Sequence, residues 1–194
     1  MVLYGASGHA KVVIEILEAN NIPIDYIVDD DTNISELLGY RVEHDCSVFE
    51  EVIVAVGSCQ LRKAITERIE VTNYLTVVHP SSIVSPRAVL GEGTVIMQGA
   101  IVQSCASIGK HCIVNTGASV GHDVKLEDFV HVAPRAVITG NVEVGECTWI
   151  GAGAVIKQGI KIGKNCMIGA GAVVVKDVSD GMTVVGNPAR ELHK

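Results

Sequence analysis

The sequence predicts a small parallel α/β domain followed by a parallel β-helix, and three observations carry that prediction. Strand-like and helix-like patterns alternate up to residue 77. From Val78 to Val174, every sixth residue is Ile, Leu or Val. The composition is 48% hydrophobic but only 4% aromatic, with 20 glycines in 194 residues. A core stacked from aliphatic side chains fits these figures better than an aromatic-rich globular core.

The first domain spans residues 1–77. Val2–Tyr4 is a short apolar run, and Gly5-Ala6-Ser7-Gly8-His9 follows as a turn in which Ser7 is placed to cap a helix. Val13, Ile16, Leu17 and Asn20 then share one helical stripe. Asp25–Val28 reads as a second strand, stopped by Asp29-Asp30-Asp31. Val52–Val56 is a continuous buried-strand run ended by Gly57. Ser58 caps a second helix with an expected apolar face of Leu61, Ile65 and Ile69, and Tyr74–Val77 reads as a further strand. Strands alternating with helices predict a Rossmann-like parallel sheet.

The second domain spans residues 78–194. The aliphatic series is Val78, Val84, Leu90, Ile96 and so on to Ile168 and Val174, seventeen positions without a break. If a third of residues were aliphatic, chance would give this on the order of 10⁻⁸ of the time. A period of six is the mark of a hexapeptide β-helix, in which three hexads close one triangular coil of 18 residues. Four positions after most of these aliphatics stands a small residue, such as Ala100, Ala118, Ala136 or Cys166, suited to a corner. Glycines often follow the aliphatic, as at Gly91, Gly109, Gly121 and Gly145, where the chain needs either positive φ or close approach. At about 4.8 Å per coil the prism should stand roughly 25–30 Å tall. The first domain is expected to cover one open end, and the tail to cap or extend the other.

A net charge of −7 without a basic stripe excludes the common nucleic-acid-binding designs. Met1-Val2-Leu3-Tyr4 runs directly into a glycine turn without a basic start, and no aliphatic run reaches the roughly 18 residues that span a bilayer. The expectation is a cytoplasmic chain with no membrane partner. Six cysteines occur without any C-x-x-C pair, which indicates neither a zinc ribbon nor a redox motif.

The hexad run, followed by Val174-Val175-Lys176-Asp177-Val178 and Gly186-Asn187-Pro188-Ala189-Arg190, resembles the hexapeptide acyltransferases. The front end, Tyr4-Gly5-Ala6-Ser7-Gly8-His9 with Val28-Asp29-Asp30 and Ala55-Val56-Gly57-Ser58, narrows the resemblance. It is similar to the branch holding sialic acid O-acetyltransferases and bacillosamine-pathway N-acetyltransferases of UDP-4-amino sugars. The resemblance implies a left-handed β-helix assembled as a homotrimer. It also implies acetyl-CoA between two prisms, a nucleotide sugar on the N-terminal domain, and no metal. In the pattern Asn-Thr, five residues, His-Glu/Asp, which here runs from Asn115-Thr116 to His122-Asp123, it implies His122 as catalytic base. Asp123 stands where the bacillosamine enzymes usually carry Glu. His131 is implied near the acetyl group, and Ala152 and Ala170 beside the CoA chain. Ser7, Gly8, His9, Asp29, Asp30 and Gly57 match the sugar-nucleotide turns.

The chemistry agrees with those residue types. An acceptor amine must lose a proton as it attacks a thioester, and imidazole is the side chain suited to take it near neutral pH. A carboxylate on the ring would fix its tautomer; Asp123 is the candidate, with a carboxylate from a neighbouring subunit as the alternative. A backbone N–H or His131 would face the thioester oxyanion. No Cys or Ser stands in a nucleophile motif, so direct transfer in a ternary complex is expected. His122 and His131 are half a coil apart, so they should meet only across a subunit interface. His79, His111 and His193 are expected on the surface. Arg62 is a candidate diphosphate partner, or simply a helix-surface arginine.

Several readings stay open at this point. Gly5-x-x-Gly8 lacks the full dinucleotide spacing, but Asp29 and Asp30 stand where a ribose-binding acid would, which leaves room for a nicotinamide cofactor. A γ-carbonic-anhydrase-like metal enzyme shares the prism, although His111, His122 and His131 are wrongly spaced for it. A non-catalytic β-helix scaffold is a third alternative. N- and O-acetylation need the same base and are not separated by the sequence.

Overall fold

The computed structural model describes residues 1–44 and 46–192; His193 lies outside the described residues. Eight elements build the first domain: β1 (Val2–Tyr4), α1 (Gly8–Ala19), β2 (Tyr26–Val28), β3 (Glu36–Leu37), β4 (Tyr40–Glu43), β5 (Val48–Val54), α2 (Cys59–Arg68) and β6 (Glu70–Tyr74). They form one sheet in the order β3-β4-β2-β1-β5-β6, parallel except for the β3–β4 hairpin. That hairpin is absent from the sequence reading. Its turn is Leu38-Gly39, both at positive φ, the conformation that matches hairpin twist.

Helix α1 buries Val13, Ile16 and Leu17, and the Asn20 amide donates to the Val78 carbonyl of the prism. Ser7 stands at its N-cap without a side-chain hydrogen bond, whereas Ser58 Oγ accepts from Leu61 N at the start of α2. The expected apolar face of α2 holds at Ile65 and Ile69, which pack in the cluster of Val2, Tyr4 and Phe49, and needs correction at Leu61. Leu61 is 61% exposed, and the buried residues of the helix are Cys59 and Arg62.

From Val77–Val78 onward the chain climbs in two-residue strands, each parallel to the strand 18 residues later (Val95↔Ile113, Ile101↔Ser119, Ser107↔Lys125). The second residue of each pair is the hexad aliphatic, and these form the buried core from Ile96 to Val174. The first residue of each pair points outward and gives each prism face its character. The first face presents Val77, Val95, Ile113, His131, Trp149 and Met167. The second presents Ile83, Ile101, Ser119, Val137, Val155 and Val173. The third presents Val89, Ser107, Lys125, Glu143 and Lys161.

Each corner is filled differently. Ala100, Ala118, Ala136, Ala154 and Ala172 occupy one throughout. Ala88 and Ala106 begin another, which Val124, Val142, Ile160 and Val178 continue with larger side chains. In the third, Thr94 Oγ1 donates to Gly109 O and accepts from Cys112 N, and Thr148 repeats this with Gly163 O and Cys166 N. These threonines bury a hydroxyl with both of its roles met. The glycines after the aliphatics serve close approach. A Cβ on Gly91, Gly145 or Gly151 would lie 2.5–2.6 Å from the backbone of the next coil. Positive φ falls instead on every sixth residue from Gly93 to Gly171, including Asp123, Phe129 and Arg135.

The first domain does not cover an open end of the prism, as the sequence reading expected. It lies along the first face, where Val77, Val95 and Ile113 join its core with Leu3, Ile14 and Ile16. The reason is apolar burial: those outward side chains need a cover. At the other end, Thr183–Val185 extends the first-face sheet beyond Met167–Ile168, and Arg190–Glu191 folds back on it antiparallel. Among the described residues no helix is long and apolar enough to cross a membrane.

Candidate active site

His122 and Asp123 occupy the corner between the second and third faces. Asp123 takes the left-handed conformation, φ 57°, which a short polar residue tolerates, and its amide donates to Ser104 O of the preceding coil. Its carboxylate Oδ2 is 2.7 Å from His122 Nδ1, and both side chains are more than half exposed. A carboxylate only accepts, so Nδ1 carries the hydrogen and Nε2 presents the lone pair. Beside the ring opens a groove of about 350 Å³ lined by Ile83, Ser85, Ile101, Val102, Gln103 and Ser104.

The corner between the first and second faces carries a different constellation. Thr116, Pro134, Ala152 and Ala170 stack there as an exposed file, each one coil from the next. Their carbonyls hold the coils together, with Arg135 N on Thr116 O, Gly153 N on Pro134 O and Gly171 N on Ala152 O. Asn115 stands at the head of the file, and His131 Nε2 lies 3.1 Å from its Nδ2. Asn115 Oδ1 accepts from Thr116 N, so the amide nitrogen faces the histidine. His131 is 3% exposed, and its Nδ1 donates to Gly57 O at 3.0 Å. Both ring nitrogens are thus engaged inside the chain, and neither offers the N–H that the oxyanion role would need. His122 is not brought to His131, Ala152 or Ala170 within one chain. The two groups flank opposite edges of the apolar second face.

On the first domain, a cavity of about 340 Å³ opens at the C-terminal ends of β1, β2 and β5, the usual ligand end of a parallel sheet. It gathers Ser7, Asp29 and Asp30 from the sequence reading, and adds Tyr4, Leu61, Ile65 and Arg68. Asp29 braces the turn: Oδ2 accepts from Ala6 N and Oδ1 from Asp31 N. Asp30 accepts from Tyr4 OH and pairs with Arg68 at 2.8 Å. Burial, and then the Asp30 carboxylate, push the Tyr4 hydroxyl up to about 12, so it remains a donor. Burial opposes ionisation of Asp30, but the bonds from Arg68 and Tyr4 hold its carboxyl below the usual range.

Gly8, His9 and Gly57 are not among the residues lining that cavity; His9 and Gly57 face the prism. The His9 ring lies 6.1 Å from the His131 ring, and its Nε2 is buried without a hydrogen-bond partner. Arg62 corrects the diphosphate expectation. It is 1% exposed, and its guanidinium donates to Val56 O, Gly57 O, His111 O and Phe129 O, which ties the two domains together. His111, expected on the surface, is buried against Phe129 and Tyr74. Desolvation, with Arg62 nearby, lowers both His9 and His111 to about 4, and His131 falls to about 3 chiefly through burial.

A left-handed hexapeptide β-helix with an exposed His–Asp pair on one corner and a nucleotide-sized cavity on an attached half-Rossmann domain defines a hexapeptide-repeat acyltransferase. Family comparisons agree. Residues 1–69 match the PglD N-terminal domain, and residues 141–176 match the bacterial transferase hexapeptide, six repeats. A GDP-perosamine N-acetyltransferase of Escherichia coli O157:H7 is 36% identical over 148 residues, 73% of this chain and 67% of that one. A UDP-N-acetylbacillosamine N-acetyltransferase of Bacillus subtilis (strain 168) is 46% identical, over a stretch of 44 residues that spans 22% of this chain and 20% of the relative. The crystal structure of a His-to-Asn variant of perosamine N-acetyltransferase from Caulobacter crescentus, in complex with CoA and GDP-perosamine, superposes with a TM-score of 0.92. It is 34% identical, and the match covers 100% of this chain and 96% of that one. The chain belongs to the nucleotide-sugar N-acetyltransferases of the hexapeptide-repeat type.

Tyr4 enters the sequence motif only as the end of a strand, and Arg68 carries no motif at all, so neither is named as a site residue from sequence. Both are placed by the sheet order, which sets β1, β2 and α2 around one opening.

Proposed function

We propose that this chain transfers the acetyl group of acetyl-CoA to the amine of a nucleotide-activated 4-amino-4,6-dideoxy sugar, with His122 as general base. The observation that carries the reading is the 2.7 Å contact of Asp123 with His122 Nδ1 on an exposed corner beside the apolar second face. The amine nitrogen attacks the thioester carbonyl, His122 Nε2 takes its proton, the C–S bond breaks, and CoA leaves as the thiol. Asp123 fixes the tautomer and stabilises the imidazolium formed during transfer.

The second face supports a homotrimer. Its outward column of Ile83, Ile101, Val137, Val155 and Val173 has no cover from the chain's own first domain, unlike the matching column of the first face. Packing that face against a second copy would bring His122 of one subunit toward the file at Ala152 and Ala170 of its neighbour. Acetyl-CoA is assigned to that file, where His131 acts by holding the Asn115 amide at its head. The nucleotide is assigned to the cavity of Ser7, Asp29, Asp30 and Arg68. The sugar would run past Gly8, His9 and Gly57 toward the prism. A cytoplasmic location follows from the use of acetyl-CoA.

The test is product identification. Purified protein is incubated with acetyl-CoA and UDP-, GDP- or dTDP-linked 4-amino sugars, with sialic acid as a hydroxyl acceptor. An N-acetyl product from one nucleotide amino sugar is expected. Acetylation of sialic acid alone would replace this reading with O-transfer, and CoA release with no amine acceptor would overturn the acceptor class.

A further inference from the structure

We propose that Gly140 is a positioning residue for His122: its missing side chain is the seat on which the catalytic ring rests. The inference rests on the reading of His122 as general base. Gly140 is the coil neighbour of His122, 18 residues further on, and the equivalent places one coil to either side of the pair hold Ser104 and Gln158. A Cβ built on Gly140 would lie 2.5 Å from His122 Nε2, 2.6 Å from Cε1 and 3.1 Å from Cδ2. The three nearest atoms all belong to that one ring.

The backbone does not explain the glycine. Gly140 is not among the positive-φ glycines, so any L-residue fits its conformation. Nor does it serve close approach of coils in the manner of Gly91, Gly145 and Gly151, whose Cβ would strike the backbone of the next coil. What remains is the imidazole. Asp123 holds the ring by Nδ1, and Gly140 lets the Nε2 edge lie flat on the next coil. Nε2 is the atom that must meet the acceptor's proton. The ring is thereby fixed at both edges while half its surface stays open to the groove.

A methyl group at position 140 would push the ring away without breaking the prism, because an exposed side chain is what yields. Misplacing a catalytic group by about 1 Å can cost on the order of 100-fold in rate. Gly140→Ala should therefore lower kcat about 10- to 100-fold and leave the KM for acetyl-CoA within about twofold. Its melting temperature should match the parent's.

The experiment is a double-mutant cycle of Gly140→Ala with His122→Ala, read by thiol release, with the ring tautomer of His122 followed by ¹⁵N NMR. In the His122→Ala background, Gly140→Ala should have no further effect, and in the single variant the His122 ring signals should shift. If Gly140→Ala keeps parent kcat, or costs as much with His122 absent as with it present, the proposal is overturned while the base assignment stands. If His122→Ala itself keeps parent turnover, the base assignment fails. Should Gly140→Ala not fold, recovery of folding in the double variant supports the seat. Failure of both variants to fold would show that the methyl group strikes something other than the ring, and would reject it.

Discussion

Arg62 is a buried cation that donates to four carbonyl oxygens, and that makes its replacement exacting. Its guanidinium satisfies four backbone acceptors drawn from both domains, and burial pulls its pKa down from the usual arginine value. Each buried acceptor left unpaired costs about 1–3 kcal/mol. Arg62→Met should destabilise the protein by about 3 kcal/mol or more, measured by urea denaturation, with Arg62→Lys recovering part of the loss. Equal stability of Arg62→Met and the parent would contradict the account. A sequence cannot distinguish such an arginine from one on a helix surface, because its partners are carbonyls 49 and 67 residues away. His122 and Asp123 were legible by contrast, because they are adjacent and close a linear pattern that starts at Asn115-Thr116. Gly140 was hidden for the same reason as Arg62: its partner is a coil away.

At the scale of the element, the three prism faces differ in outward residues and in what covers them. The third face alternates Lys125, Glu143 and Lys161, with Lys161 3.1 Å from Glu143, and suits water. The first is roofed by the N-terminal domain. The second is apolar and uncovered within the chain, which suits a second copy. Val137→Asp should therefore convert a trimer to monomers in sedimentation analysis, while Lys125→Asp should leave the assembly intact. A parent protein that sediments as a monomer would end the trimer reading. The inward period of six was legible because one residue type recurs without a break. The outward period is equally regular, but its meaning depends on which face each residue joins. The need to protect a solenoid end points to the first domain as its cover, but the apolar outward residues Val77, Val95 and Ile113 draw that domain onto the first face instead.

At the scale of the molecule, three histidines sit neutral at or near the junction of the two domains. His9 and His111 are lowered to about 4 and His131 to about 3. Unfolded histidine titrates near 6.5, so between these values the unfolded chain binds more protons and stability rises with pH. The contribution is complete above about pH 6.5 and is lost as pH falls toward 4. The melting temperature should be flat from pH 7 to 8 and fall steadily below 6.5, before most carboxylates titrate near 4. A melting temperature unchanged between pH 6.5 and 4.5 would contradict the neutral junction. The junction was not readable from sequence, because its parts come from α1, the Val56-Gly57 turn and two coils of the prism.

The most direct test of the central claim is steady-state CoA release with acetyl-CoA and a nucleotide 4-amino sugar, comparing the parent with His122→Ala at equal folding. A general base contributes about 10²- to 10⁴-fold, so His122→Ala should lose kcat by that factor while still binding acetyl-CoA. Turnover equal to the parent would mean that the proton leaves by another route and that the His122–Asp123 corner is not the catalytic centre.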